Sequence, residues 1–301
     1  MKEELKVFLK GILVGASNMV AGVSGATLAY VTGIYEDLIT SLSNLRSKKS
    51  ILYLLTVGMG VIIGLVLSAF ILNKLVTIIL LEILSLFFGF ILGGVVSDVH
   101  KLKLGEEEKK AKYIIALIIP FILVIGLSVV GLIMKYNEKS ISGDLPDKFI
   151  NYLFLFFAGF LATFAMLIPG ISGSLIFMLL GVYYPILNTI SSLVNFSEYS
   201  WPFILNILKR IIPTGLGIIT SLIVMSKPIK HLNQKYNKMM LYIITGFVTG
   251  SLFAIYIVNM KEIIESFKLY HLFLAILVFL PLGYFLSSLL YKLENKKENN
   301  I

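Results

Sequence analysis

Two helix-breaking turns interrupt long apolar runs in this chain, and they stand 148 residues apart. The first is Ala21-Gly22-Val23-Ser24-Gly25-Ala26-Thr27 and the second is Pro169-Gly170-Ile171-Ser172-Gly173-Ser174. The register extends past the turns. Gly22, Ser24, Gly25, Gly33, Tyr35, Ser43 and Leu45 recur as Gly170, Ser172, Gly173, Gly181, Tyr183, Ser191 and Leu193, seven identities in 24 positions. Glycines in register at that density mark an internal duplication, and a duplication governs how everything else is read.

The medium around those turns follows from composition. Of 301 residues, 57% are hydrophobic and 14% are charged, where soluble domains carry about 25% charged residues. The chain therefore reads as an all-α, polytopic membrane protein. The charged start at Lys2, Glu3, Glu4 and Lys6 leads into the first apolar run without a small-residue cleavage site, so no signal peptide is expected. There is no cysteine, which excludes disulfides, thiol catalysis and thiolate metal sites. His100, His231 and His271 are scattered near predicted helix ends, and no metal cluster or cofactor is expected from them.

The apolar arms at residues 5–20 and 27–39 are short. A full span needs about 20 residues, so the two arms read as a re-entrant hairpin at about 5–40, with two tilted spans as the alternative. Full spans are expected at about 51–72, 75–96 and 113–134. A second hairpin at about 151–187 precedes spans at about 204–225, 241–258 and 269–291. The spans echo one another too: Gly64, Ser68 and Lys74 match Gly217, Ser221 and Lys227, while Gly89, Phe90 and Gly93 match Gly246, Phe247 and Gly250. Each half, 1–135 and 150–292, is then one hairpin plus three spans. Three is odd, so the halves enter the membrane from opposite sides, an inverted-topology repeat of the kind that places transporter sites on broken helices at the repeat interface. With the N-terminus cytoplasmic, the inner segments hold 18 of the 26 Lys and Arg residues, and the outer loop at 188–200 holds none. That bias follows the positive-inside rule. It accounts for the net charge of +9 and removes the reason to invoke nucleic acid.

Glycine turns let backbone approach a ligand closely, and a helix start offers free N–H groups to an anion. Ser24 and Thr27 add hydroxyls in the first copy, and Ser172 and Ser174 do so in the second. With Asn18, Gly22, Gly25, Gly170, Gly173 and Arg210 they form the candidate binding set. Asn18 is placed to bond a ligand or to cap the break, and Arg210 to meet a phosphate bidentately or, with Lys209, to reach the outer headgroups. Glu82, about 10 Å into its span at 1.5 Å per residue, is the candidate for a coupling proton or cation such as sodium; a solvated outer-end position is its alternative. Tyr35 and Tyr183 read as interface anchors. The alternative for the turns themselves is close helix packing through small residues.

The run Gly15-Ala16-Ser17-Asn18, Gly22-Val23-Ser24-Gly25-Ala26-Thr27 and Gly33-Ile34-Tyr35-Glu36 resembles the first signature of the polyprenyl-phosphate transporter family, roughly G-x-x-N-x-x-P-G-V-S-G-G-T and then G-I-Y-E. Pro169 to Ser174 with Gly181-Val182-Tyr183 resembles the second signature. Ala21 and Ala26 depart from the pattern, standing where the family has proline and glycine. The resemblance implies a carrier in the bacterial plasma membrane that returns undecaprenyl phosphate from the outer to the inner leaflet; the charge count puts both its termini in the cytoplasm. A transporter of a small soluble anion is the second expectation. An undecaprenyl-diphosphate phosphatase is the third; it fits less well because no arginine follows either serine and no paired intramembrane glutamates are present for acid–base work.

Overall fold

The computed structural model describes residues 2–18, 22–101, 111–138, 148–192 and 201–298. Ala21, the acidic run Glu106 to Glu108 and most of the outer loop at 188–200 lie outside the described residues, as does the side chain of His100. Every element among the described residues is helical: α1 (Lys2–Ser17), α2 (Gly25–Val31), α3 (Tyr35–Ser43), α4 (Lys48–Lys101), α5 (Ala111–Glu138), α6 (Phe149–Met166), α7 (Gly173–Leu179), α8 (Tyr183–Ser192), α9 (Trp201–Lys235), α10 (Asn237–Val258), α11 (Met260–Ser266), α12 (Leu269–Leu274), a π-helical turn (Ala275–Phe279) and α13 (Leu280–Glu298). Among the described residues, seven stretches are long and apolar enough to cross a bilayer. Six are the expected full spans. The seventh is α6, whose 18 residues make the first arm of the second hairpin long enough to span by itself.

Backbone geometry repeats at residues 148 apart. Glycines with positive φ occur at Gly22 and Gly170 (83° and 99°) and at Gly33 and Gly181 (74° and 69°), the same places in each copy. The second of these pairs corrects the expected hairpin: the arm at 27–39 is two short helices, α2 and α3, broken at Gly33, and α7 and α8 break likewise at Gly181. Glu36 and Asp37 stand in the first turn of α3, where the helix dipole favours them. A further match joins the spans. Ile79 interrupts α4 with φ −125° and ψ 38°, and Tyr236 separates α9 from α10 with φ −121° and ψ 38°. An unbroken helix of 54 residues would run about 80 Å, far beyond a hydrocarbon core of about 30 Å, so α4 must break.

Backbone contact through glycine holds the pairs together. A Cβ on Gly64 would lie 2.1 Å from the Ile12 carbonyl oxygen, and one on Gly217 would lie 2.0 Å from that of Phe156; α1 thus packs on the first part of α4 as α6 packs on α9. Gly89 meets Leu280 of α13 and Gly246 meets Leu117 of α5 in the same manner. Lipid tails give no hydrophobic drive for helices to associate, so close backbone approach supplies the dispersion contacts instead. Two spans form the centre: 56% of Ile78–Ser97 and 67% of Asn237–Val258 is buried, against 17–33% for the other five. Their core residues Leu84, Ile91, Val248 and Ile255 join Leu28 and Ile39 of the first hairpin in one apolar cluster. Exposed apolar residues such as Ile62, Ile122, Leu216 and Leu277 lie on the outer spans.

Candidate functional site

The two turns meet. The backbone N–H of Gly170 donates to Thr27 Oγ1 at 2.7 Å, and the Tyr35 hydroxyl donates to the Leu167 carbonyl at 2.9 Å. Both bonds tie the first hairpin to the second turn. Tyr35 is 4% exposed, so it is a buried strut between the halves and not the interface anchor expected. Tyr183, its counterpart, is half-buried and packs edge-on against Tyr184.

Between the turns lies a narrow cavity walled by Gly22 and Ser128 of the first half and by Gly170, Ser172, Ser174 and neighbouring apolar residues of the second. Its interior is about 10 Å³, roughly what one water molecule needs. Ser172 and Ser174 share a hydroxyl hydrogen bond of 2.8 Å. Ser128 is fully buried and bonds back to the Val124 carbonyl at 2.7 Å. Val258 and Ala254, both from α10, close the apolar side.

Of the expected binding residues, Gly22, Gly170, Ser172 and Ser174 line this cavity, and Thr27 touches it through Gly170. Ser24 lies beside the first turn at 2% exposure, its Oγ without a hydrogen-bond partner among the described residues. The backbone at Ser24 and Ser172 is nearly superposable, φ −94° and ψ 127° against φ −92° and ψ 133°, and neither side chain caps its helix. Asn18 donates to the Val14 carbonyl at 2.8 Å and caps the end of α1. A Cβ at position 25 would come within 2.6 Å of that amide, which would have to swing aside. Gly173 has ordinary clearance, with nothing nearer than 3.5 Å to its Cβ position. Arg210 is half-buried on α9 and is not among the cavity residues.

Glu82 is not a solvated outer-end residue. It is 1% exposed and its Oε1 stands 2.5 Å from His271 Nδ1 on α12. Nearby, Ser85 and Tyr256 share a 2.9 Å hydrogen bond between α4 and α10. His231 is exposed, and no group of metal-binding side chains occurs among the described residues. Two residues at these places, Ser128 and His271, are absent from the candidate set read from the sequence. Ser128 carried a faint signal, a lone hydroxyl deep in an apolar span; His271 carried none beyond being an imidazole near a helix start.

The chain matches the family model described as VCA0040-like, undecaprenyl phosphate translocase-like, over residues 14–270. It is 30% identical over 264 residues to a polyprenyl-phosphate transporter of Vibrio cholerae, covering 82% of this chain and 76% of the relative. It is 29% identical over 254 residues to a polyprenyl-phosphate transporter of Staphylococcus aureus, covering 82% and 84%. No solved structure matches it. The chain belongs to the undecaprenyl phosphate translocase-like family.

Proposed function

We propose that this member of the undecaprenyl phosphate translocase-like family carries polyprenyl phosphate across the bacterial plasma membrane, from the outer to the inner leaflet, by alternating access. The observation that carries the reading is the meeting of the two duplicated turns at one hydroxyl-lined cavity, in a chain whose relatives bear the name polyprenyl-phosphate transporter. Ser172 and Ser174, which now bond each other, offer hydroxyls to phosphate oxygens; Ser128 does so only by turning from the Val124 carbonyl, and Ser24 offers another when the first turn opens. The apolar tail stays in lipid while the headgroup crosses through protein, which avoids the large cost of placing a charged group in hydrocarbon.

A phosphate with four oxygens does not fit where there is room for roughly one water. The conformation described is accordingly a closed one. Loading requires the turns to part, and the Thr27–Gly170 and Tyr35–Leu167 bonds are the contacts that break. The halves are read as inverted repeats with both termini in the cytoplasm, so parting on one side and then the other gives alternate exposure. Arg210 takes no part in this scheme.

Reconstituted protein tests the reading. Liposomes carrying fluorescent polyprenyl phosphate should show leaflet exchange that falls at least tenfold in S172A/S174A, with no release of inorganic phosphate. Exchange at the wild-type rate in the folded double variant sinks the assigned site. Phosphate release in place of exchange replaces the carrier with a phosphatase.

A further inference from the structure

We propose that Glu82 and His271 form a proton-binding site that couples proton uptake to movement of the lipid phosphate, an inference that rests on the carrier reading above. Glu82 and His271 are both buried, at 1% and 7% side-chain exposure. Only one carboxylate oxygen is used: Oε1 meets the imidazole, while Oε2 is buried with no hydrogen-bond partner among the described residues. One proton shared between Oε1 and Nδ1 makes the pair neutral as a whole. A second proton on Oε2 makes it +1, which offsets one negative charge of a phosphate brought into the protein.

The backbone is shaped to make this contact. His271 precedes the π-helical turn Ala275–Phe279. Gly283, beyond that turn, lies against α4, where its Cβ would come within 2.1 Å of the Leu86 carbonyl oxygen. In an uninterrupted α-helix, His271 and Gly283 would point about 120° apart at 3.6 residues per turn. The wider π turn absorbs about one residue, or about 100°, and brings both onto the face that meets α4. The pair also belongs to one half alone. The breaks at Ile79 and Tyr236 fix the register between α4 and α10, and in that register Met239 stands where Glu82 does. Packing of the duplicated scaffold does not ask for a carboxylate there.

Among the described residues, no group on the surrounding helices hydrogen-bonds Oε2. Tyr256 of α10 is bonded to Ser85. On α11, Lys261 pairs with Glu265 at the surface, and Glu262 is half-buried. On α12 the Tyr270 ring lies 4.1 Å from the His271 ring, and Tyr30 of α2 packs on Tyr35. α13 meets α4 further along, at Gly89 and Gly93. His271 is the basic group that the described residues set against Glu82. A hard cation such as sodium takes several oxygen ligands, whereas here a nitrogen holds Oε1 and the Ser85 hydroxyl is engaged, so the ligand is a proton. The Ser85–Tyr256 bond ties the helix bearing Glu82 to α10, whose Ala254 and Val258 wall the phosphate cavity.

Full-length protein in proteoliposomes provides the test, with two readouts. In pH-difference infrared spectra, a carboxyl band should appear on acidification, shift in H271N and vanish in E82Q. An imposed inward gradient of one pH unit should accumulate a fluorescent short-chain polyprenyl phosphate about tenfold if one proton accompanies each molecule. E82Q, whose amide oxygen still accepts from Nδ1, should bind the probe yet not accumulate it. The E82Q/H271N double variant, checked by its melting temperature, guards against misfolding from a broken pair and should also fail to accumulate. Gradient-driven accumulation equal to wild type in folded E82Q overturns the proposal, as does the absence of a carboxyl band that E82Q removes. An intact band in a protein that neither binds nor moves polyprenyl phosphate leaves the proton site standing and removes the carrier reading.

Discussion

At Gly170 the second turn is pressed against α10 of its own half, with no room for a side chain. The Gly170 φ is 99°, and a Cβ would stand 2.3 Å from the Phe247 carbonyl oxygen. Gly170→Ala should therefore cost about 3 kcal/mol, from left-handed strain and overpacking together. Gly173→Ala, three residues on and with 3.5 Å of clearance, should change stability by less than about 1 kcal/mol and improve helix propensity. Thermal unfolding in detergent compares the two, and equal losses would refute the distinction. Thr27→Val removes the acceptor for the buried Gly170 N–H, a loss of about 1–3 kcal/mol that falls on the closed conformation, so its leaflet exchange should speed up as its melting point drops. Thr27→Ser should restore both. The turns were legible in the sequence because glycine and serine recur in register. The Thr27 bond was not, since it joins residues 143 apart, and Glu82 with His271 lie 189 apart. A carboxylate in an apolar run announces that it needs a partner, and nothing local says which residue supplies it.

Among the helices, the same logic separates glycines that hold two backbones together from glycines that face lipid. Gly64 is pressed on Ile12 of α1, while Gly58, on the same span, has nothing within 4 Å of its Cβ position. Gly64→Ala should cost about 1–3 kcal/mol by forcing α1 off α4, and Gly58→Ala should be neutral or slightly stabilising. Gly217 and Gly215 offer the same contrast in the second half. Chemical or thermal unfolding of the four variants checks it; a destabilised Gly58→Ala would mean that this face is covered by protein. The spans and their glycine matches were readable because hydropathy and length dominate helix formation in lipid. The break at Gly33 was passed over because α2 and α3 are both apolar enough to read as one arm. The π turn left no mark at all: Ala275-Ile276-Leu277-Val278-Phe279 contains no Gly or Pro, and its widening answers to the contact that His271 makes with α4.

For the molecule as a whole, a carrier of the proposed kind needs its two turns to be reached from opposite faces of the membrane. The hairpin packing leaves that open, because the turns meet in the middle whichever side each chain entered from. Charge is what decides it, through the basic residues at the span ends, and the absence of cysteine in the chain makes the question directly measurable. Lys48 and Lys235 are exposed at ends read as cytoplasmic, and Lys148 and Lys268 are exposed at ends read as external. Single cysteines at positions 148 and 268 should react with an impermeant maleimide on intact cells; those at 48 and 235 should react only after permeabilisation. Lys148 precedes α6 as the N-terminus precedes α1, and a first hairpin that returns to its own side keeps Lys48 with the N-terminus, so labelling of position 148 from outside, with 48 protected, places the starts of the two repeats on opposite sides. Labelling of both from one side would make the halves parallel. A parallel pair would open both turns to the same leaflet, and rocking one half against the other could then not pass a phosphate from one side to the other.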